Sequence, residues 1–482
     1  KRKAVTDLLD KLASDLESDG SLTILPERNA ALEELKVYGR DPQNADPIFT
    51  EKVTPELPPC TQMLELVTDS AKGISTLLRH AFYSPSSETA RAAMRVLANA
   101  MLLKPNTRQI FVDHGFAPKA CHHLGNNSWD DEFLASRILF LSTYGTTVDL
   151  LDLVDNHQLA DKVTDRLGHH AKLISSKSKG NSELMEEMAL TETLKLLFNV
   201  THYCNERISS FDSAVPHVVE LLWKQDIPAS KPLDAPSPFG PLVNALLNLD
   251  LTSSKSTSSL YPKNEPTRVT AFLIDLLDRS LKSYGDDELE VIVTPLVSLL
   301  KKIYDSAPEA TKAQMREALL PTAEDRKSVL GRGDSVSSKL LKNSTHPTAP
   351  ALRDAISHLL FDLSDRDASK FVENIGYGFA SGFLFQNNVP IPESAAEAFS
   401  TGDATGAARP VNPITGQFME NETHPDEPEL TEEEKEREAE KLFVLFERLK
   451  ANGIINVQNP VEAAVQEGRY RELGDSDVEE LD

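Results

Sequence analysis

Paired histidines are the first candidates for metal chemistry in this sequence. They occur as His122–His123 and His169–His170. Adjacent side chains on a helix point in different directions, whereas a helical zinc site needs two histidines four residues apart, as in HExxH. The three cysteines, Cys60, Cys121 and Cys204, are far apart and form no CxxC pair. We therefore predict surface histidines and no metal site.

A glycine cluster resembles the loop that binds dinucleotides. Gly376, Gly378 and Gly382 follow a helical pattern, where the fingerprint needs a strand, and the last spacing is one residue longer than in GxGxxG. The sequence contains neither a P-loop nor a GxSxG nucleophile elbow. These observations predict a protein that is not an enzyme and needs no cofactor. An enzyme of unknown type is the weaker alternative.

The charge balance limits the partners that the protein can have. The 482 residues include 75 acidic and 50 basic side chains, so the formal net charge is −25. Nucleic acids and anionic membrane surfaces both require a basic surface, and neither is expected as a partner. Scattered cysteines favour a reducing compartment, and no run of 18 apolar residues could form an integral membrane segment. We expect a cytoplasmic protein, with recruitment to the plasma membrane through its partner as an open alternative.

Apolar residues recur at helical spacing through most of the chain. In residues 89–103, Met94, Leu97 and Met101 share one face at the 3.6-residue period. Similar patterns occupy residues 131–143, 183–203, 240–251, 268–281, 289–304 and 349–363. Alternating runs bounded by hairpin turns, which are typical of β-strands, are absent. We predict an all-α fold.

Three of these helices carry an asparagine within an apolar stretch, at Asn99, Asn199 and Asn248. The order helix, turn, proline, helix from residue 194 to 222 is typical of an armadillo or HEAT unit. Such an asparagine either binds a guest peptide on the inner curve or ties a loop to its own repeat. The pattern favours an armadillo/HEAT-like superhelix over residues 1–386 and leaves both roles open.

The composition changes at several points along the chain. Residues 252–266 and 324–350 are rich in polar and turn-forming residues and are predicted as long surface loops. Residues 387–428, rich in Pro, Ala, Gly and Thr, are predicted as an extended linker. Residues 429–482 are predicted as an acidic helix and tail. The helix begins with a Thr431–Glu434 capping box and has an apolar stripe with which it could dock.

Half of the net charge belongs to this C-terminal arm. Residues 420–482 contain 20 acidic and 7 basic side chains, a net of −13. The repeat region is therefore only mildly acidic, and the net charge of the chain does not predict the charge of a binding face.

Three C-terminal motifs occur in a specific order: residues 376–384 (GYGFASGFL), 411–416 (VNPITG) and 431–449. Together with residues 89–117, 133–141, 193–201, 244–251 and 296–320, they resemble the synembryn family, "resistance to inhibitors of cholinesterase". Members of that family chaperone and activate heterotrimeric G-protein α subunits. The chain resembles a fungal-type member, trimmed at one or both ends.

The resemblance implies a non-catalytic guanine-nucleotide releasing factor and chaperone. Such a protein binds the GDP-bound α subunit, grips its C-terminal helix in the concave groove and stabilises the nucleotide-free state. We expect a monomer without a cofactor. An armadillo-type adaptor that binds peptides without exchange activity is the alternative.

The resemblance also implies a set of partner-binding residues. Where relatives have a second groove aromatic, one turn after Phe198, this chain has His202, a departure that bears on which α subunit is preferred. The full set is Asn99, Arg137, Phe140, Lys195, Phe198, Asn199, His202, Asn244, Asn248 and Tyr377.

Two serines are candidates for phosphorylation. Animal relatives carry an acidic, phosphorylated loop before the Asn-Pro-Val/Ile-Thr-Gly motif, whereas residues 393–410 contain only three acidic side chains here. Ser400 keeps a minimal acidic site through Asp403, and Ser476 lies in the more acidic stretch 475–480. A phosphate would add about −1.5 to −2 charge. An unmodified tail is the alternative.

Overall fold

The computed structural model describes residues 1–17, 25–50, 73–176, 184–390, 400–402, 408–412 and 415–422. Within these residues the chain forms twenty α-helices and one antiparallel pair of short strands, which confirms the predicted all-α helical-repeat fold. The helices are α1 Arg2–Glu17, α2 Leu25–Gly39, α3 Gly73–Tyr83, α4 Ser87–Leu103, α5 Asn106–Asp113, α6 Ala117–Leu124, α7 Trp129–Ser142, α8 Leu150–Asp155, α9 Leu159–Ser176, α10 Leu184–Tyr203, α11 Val215–Trp223, α12 Phe239–Asn248, α13 Ser254–Leu260, α14 Arg268–Ser283, α15 Asp286–Ser306, α16 Glu309–Leu319, α17 Val336–Asn343, α18 Pro350–Leu363, α19 Ala368–Ile375 and α20 Tyr377–Gln386; the strands are β1 Ser400–Gly402 and β2 Ala408–Pro410.

Six helices form a row in which each packs on the next: α4, α7, α10, α12, α15 and α18. We call this row the ladder. Each ladder helix contributes fully buried leucines to the core, for example Leu97, Leu197 and Leu300. Burying one such side chain contributes about 1.5–3 kcal/mol, so the packing between repeats is mainly apolar. Helices α9, α11 and α14 pack against the ladder and complete the repeats.

Serine residues set where two of the ladder helices, α4 and α7, begin. The Ser86 hydroxyl accepts a hydrogen bond from the Thr89 amide at 3.3 Å, and the Ser128 hydroxyl caps α7 in the same way through Asp131. Asp130, Asp131 and Glu132 fill the first turn of α7, where negative charge interacts favourably with the helix dipole. The first turn of α7 therefore concentrates three carboxylates at the N-terminal end of this helix.

Two segments predicted as long surface loops contain helices, so those predictions were wrong. Residues 254–260 form α13 and residues 336–343 form α17. Ser253 and Ser335 are the N-caps, and their hydroxyls accept from the amides of Ser256 and Ser338 at 3.3 and 3.1 Å. The serines that suggested loops by composition instead begin short helices, because a serine hydroxyl satisfies the free amides of a first turn.

Part of the predicted linker packs on the repeats. The Leu330 amide donates to the Thr415 carbonyl at 3.0 Å, and the Phe418 amide donates to the Arg326 carbonyl at 2.8 Å. The Arg326 guanidinium donates to the Gly416 carbonyl at 3.0 Å. Thr415 and Gly416, the last two residues of the VNPITG motif, thus contact the end of the repeat region. The domain bounds at 386 and 428 stay predictions.

Several predictions about the C-terminal part of the chain lie outside the described residues. The acidic helix of residues 429–482 and Ser476 lie outside the described residues. The backbone of Ser400 lies on β1 and pairs with Pro410 on β2. None of the described helices combines the length and apolar character needed to cross a bilayer.

Candidate partner-binding face

Half-exposed residues recur at helical spacing on one side of the ladder, which we call the ladder face. Arg91, Arg95 and Asn99 lie on it from α4, and the other three helices contribute Phe133, Arg137 and Phe140 from α7, Lys195, Phe198 and His202 from α10, and Asn244 and Asn248 from α12. Eight of the ten predicted binding residues belong to this set. The structure therefore brings residues that are up to 157 positions apart in sequence, from Arg91 to Asn248, onto four adjacent helices.

A charge cluster joins α7 and α10 on the ladder face. Arg137 Nη1 and Lys195 Nζ lie 3.1 and 3.0 Å from the same oxygen, Oε1 of Glu192. The Glu192 side chain is 5% exposed, and its other oxygen is buried without a hydrogen-bond partner in the described part of the chain. Two cations therefore share one carboxylate, which leaves one positive charge in excess. The Arg137 guanidinium lies over the Phe133 ring, 5.7 Å from its centroid, so this charge is next to an aromatic surface.

A second ionic contact joins α4 and α7. Arg91 Nε donates to Asp131 Oδ1 at 2.6 Å, and Arg95 pairs with Asp130. Burial alone would raise the pKa of Asp131, but hydrogen bonds from Arg91 and Asn126 and the nearby positive charge hold it below its ordinary value. The same hydrogen bond raises the pKa of Arg91. These two arginines were not predicted, although their four-residue spacing before Asn99 places them on its face.

Aromatic rings form the apolar part of the ladder face. Phe198 lies parallel to the His202 ring, with an interplanar angle of 3° and centroids 6.1 Å apart. Tyr203 contacts the edge of His202, and Phe140 meets Tyr144 at 88° with a centroid distance of 5.2 Å. Because Phe140 and Phe198 are half-buried and His202 is exposed, the rings present flat surfaces that an apolar side chain of a partner could cover.

The asparagines have different surroundings. Asn199 is only 3% exposed and donates to the Thr143 hydroxyl at 2.7 Å, which joins α10 to the end of α7. Asn248 donates to the Phe198 carbonyl at 3.0 Å and joins α12 to α10. Asn99 and Asn244 are half-buried, and no hydrogen bond of their side chains occurs among the described residues. Asn199 and Asn248 thus link neighbouring repeats, and direct contact with a partner stays a prediction.

Two further sequence predictions concern residues away from the ladder face. Tyr377 is the first residue of α20, half-buried and packed against the core. His170 was predicted to be on the surface, and this was wrong: it is 1% exposed and lies 2.9 Å from the Glu132 carboxylate, with the Trp129 ring stacked on it. No cluster of three side chains that could hold a metal occurs within the described ranges.

Comparison with known proteins adds a family and several relatives. The sequence model of the Ric8 family, described as "Guanine nucleotide exchange factor synembryn", matches residues 31–469. A synembryn-like chaperone of Schizosaccharomyces pombe is 27% identical over 71% of this chain and 66% of its own length. Chaperone Ric-8A of Macaca fascicularis is 26% identical over 77% of this chain and 73% of its own length. Chaperone Ric-8A of Xenopus tropicalis is 29% identical over 56% of this chain and 52% of its own length. The chain thus spans between about half and three quarters of the length of these relatives.

Proposed function

Because the chain belongs to the synembryn family of guanine nucleotide exchange factors, we propose that it releases GDP from heterotrimeric G-protein α subunits and chaperones their folding. The family match covers most of the chain, and the curated relatives are named as chaperones. The proposed partner is the α subunit in its GDP-bound and nucleotide-free states.

The chemistry of the ladder face is the observation that carries this proposal. A captured helix needs apolar anchors along one side and polar contacts around them. Phe140, Phe198 and His202 supply the aromatic surface, and the shared carboxylate of Glu192 leaves positive charge beside it. The C-terminal end of a helix carries a partial negative charge, and a chain terminus adds a carboxylate. A C-terminal helix laid on the ladder face would therefore meet complementary charge.

Exchange by this route requires no catalytic side chain. The protein must bind the open, nucleotide-free α subunit more tightly than the closed, GDP-bound one, because a ligand shifts an equilibrium only through such a difference. A preference of about 100-fold for the nucleotide-free form corresponds to about 2.8 kcal/mol, within the usual range of coupling between two sites. The same preference would hold a nascent α subunit before nucleotide enters. We propose that both activities use the ladder face.

The test is nucleotide exchange on a purified α subunit loaded with GDP. We expect the protein to accelerate uptake of a non-hydrolysable GTP analogue and Phe198→Ala to reduce that acceleration by about tenfold, since truncating a buried aromatic anchor typically costs 1–3 kcal/mol. Tyr83→Ala, which removes an exposed aromatic at the end of α3 that is not one of the ladder-face residues, is the matched control and should exchange like the wild type. Binding of the C-terminal helix without acceleration would favour the adaptor alternative.

The remaining expectations follow from this role. We propose that the protein acts as a monomer in the cytoplasm and reaches the plasma membrane through the α subunit. Phosphorylation at Ser400 or Ser476 is proposed as its regulation, and mass spectrometry of the protein from its native cells would test both sites.

A further inference from the structure

The ladder helices α7 and α10 end beside one another, and their ends border a cleft of about 310 Å³. Thr143, which follows α7, and Tyr203, the last residue of α10, both line it. Leu150 and Leu151 of α8 form another part of the lining, and Glu206 completes it from the 3₁₀ helix Asn205–Phe211. The cleft therefore lies at the C-terminal ends of α7 and α10, next to the aromatic end of the ladder face, where Tyr203 contacts His202.

Apolar side chains are exposed in the lining of this cleft and at the C-terminal ends of α4 and α7. Tyr203 is 53% exposed and Leu151 is 39% exposed. Tyr144 is 38% exposed two residues after α7, and Leu102 is 46% exposed at the end of α4. Single exposed apolar residues are ordinary, but a row at the same ends of three helices is typical of a binding surface.

The charged residues that line the first cleft, Asp149 and Glu206, are both acidic. The Asp149 and Glu206 carboxylates have no cation paired with them in the described part of the chain. Asp149 accepts a hydrogen bond from the Asp152 amide at 2.9 Å and caps α8. Arg207, the residue after Glu206, donates through two nitrogens to Asp155, both at 2.9 Å. The C-terminal ends of α7 and α10 add partial negative charge, so the cleft attracts cations.

A second cleft continues the same edge on the other side of the 3₁₀ helix. It measures about 440 Å³ and is lined by Ile208, Leu249 and Leu251 together with Asp250 and with Asn248 of the ladder face. Lys302 also lines it, but its ammonium donates to the Leu247 and Leu249 carbonyls at 2.7 and 2.6 Å and thereby caps α12. The basic group is thus already engaged, and the second cleft is mainly apolar.

We propose that this edge binds an extended segment of a client chain in which apolar side chains alternate with lysine or arginine. Two small clefts separated by a turn of 3₁₀ helix suit successive side chains of an extended chain better than the continuous side of a helix. The uncompensated carboxylates select basic neighbours and oppose phosphate or acidic segments. This inference rests on the chaperone part of the proposed function and names the kind of unfolded segment that the chaperone would hold.

The test uses the full chain and a fluorescein-labelled peptide, GSLKWRLGS, with the charge-reversed GSLEWELGS as the comparison. We expect fluorescence anisotropy to show binding of the basic peptide that weakens with added salt, and no binding of the acidic one. The double substitution Asp149→Asn with Glu206→Gln should weaken binding about fivefold to tenfold, as expected for losing two exposed charge contacts. Asparagine also caps helices well, so α8 should be retained, as circular dichroism would show.

Nucleotide exchange separates this proposal from the one on which it rests. The Asp149/Glu206 variant should accelerate exchange within about twofold of the wild type, whereas Phe198→Ala should bind the peptide normally and lose exchange. Equal binding of both peptides, or no effect of the double substitution, would overturn the edge proposal without touching the exchange activity. Loss of exchange in every form, with peptide binding intact, would overturn the exchange proposal alone.

Discussion

Arg326 joins the VNPITG segment to the last repeats, and its replacement gives the sharpest structural prediction. The side chain is 4% exposed, and its guanidinium donates to the carbonyls of Gly416, Glu373 and Asn374 at 3.0, 2.8 and 2.7 Å. Burial lowers its pKa, while the charges of Glu373 and Asp325 act in the opposite direction. One buried cation therefore satisfies acceptors in two segments that are more than forty residues apart.

Arg326→Met keeps most of the volume and removes all three donors. A hydrogen bond to a charged group contributes about 1.5–3 kcal/mol, but the variant also avoids burying a cation, so the three bonds do not simply add. Of the three bonds, only the one to Gly416 is broken when residues 415–422 detach, so we expect a net loss of about 1.5–3 kcal/mol in their docking. Arg326→Lys keeps one charged donor and should give an intermediate loss.

Proteolysis measures this docking directly. Phe418 is 1% exposed, so chymotrypsin can cut after it only when the segment detaches. Because each 1.4 kcal/mol changes an equilibrium tenfold, Arg326→Met should speed that cleavage about tenfold to a hundredfold. Arg279→Met removes a 43% exposed arginine from α14 and is the matched control, expected to cleave like the wild type. Equal cleavage rates for the Arg326 and Arg279 variants would refute the assignment of Arg326 as the anchor.

Three further predictions concern the ladder and the core. Asn199→Ala should lower the free energy of unfolding by about 1–2 kcal/mol in urea titrations, because it removes the buried hydrogen bond to Thr143. Adding Thr143→Ala should lower the free energy of unfolding little further. If the two substitutions had fully additive effects, the contact between them would be contradicted. Arg91 helps to hold the pKa of Asp131 below its ordinary value of 3.8. The ionised carboxylate therefore stabilises the fold at pH values above 3.8, and this stabilisation is lost as the pH falls through the lowered pKa. Asp131→Asn should therefore be less stable than the wild type at pH 7 and lose less stability between pH 5 and pH 2, whereas parallel curves would contradict this. Burial raises the pKa of Cys121 to about 11, so iodoacetamide at pH 8 should modify it only in urea, and rapid modification of the native protein would show that the thiol is accessible.

The helices could be predicted because apolar spacing reports burial directly. The pattern around Leu97 predicted a helix over residues 89–103, and the structure has it over 87–103. The errors came from composition: serines at 253 and 335 suggested loops, but they cap helices of seven and eight residues. Caps and loops use the same residue types, and only the packing of the following turn distinguishes them.

The binding face could be predicted only in part. Resemblance to a family placed Arg137, Lys195 and Phe198 on it, but no local pattern shows that Glu192 lies beneath both cations. Burial also cannot be read from residue type, since His170 belongs to a polar pair that suggests exposure and yet is enclosed with Glu132. These contacts join residues some forty to sixty positions apart. They depend on how neighbouring repeats stack, and no local sequence pattern shows that stacking.

The most direct test of the central claim is the affinity of the protein for one α subunit in two states. Calorimetry would give the dissociation constants for the nucleotide-free and the GDP-bound forms under the same conditions. The proposed mechanism predicts that the nucleotide-free form binds about 100-fold more tightly, and that Phe198→Ala weakens this binding. Equal affinity for the two forms would contradict it, because a protein that does not distinguish them cannot drive GDP release.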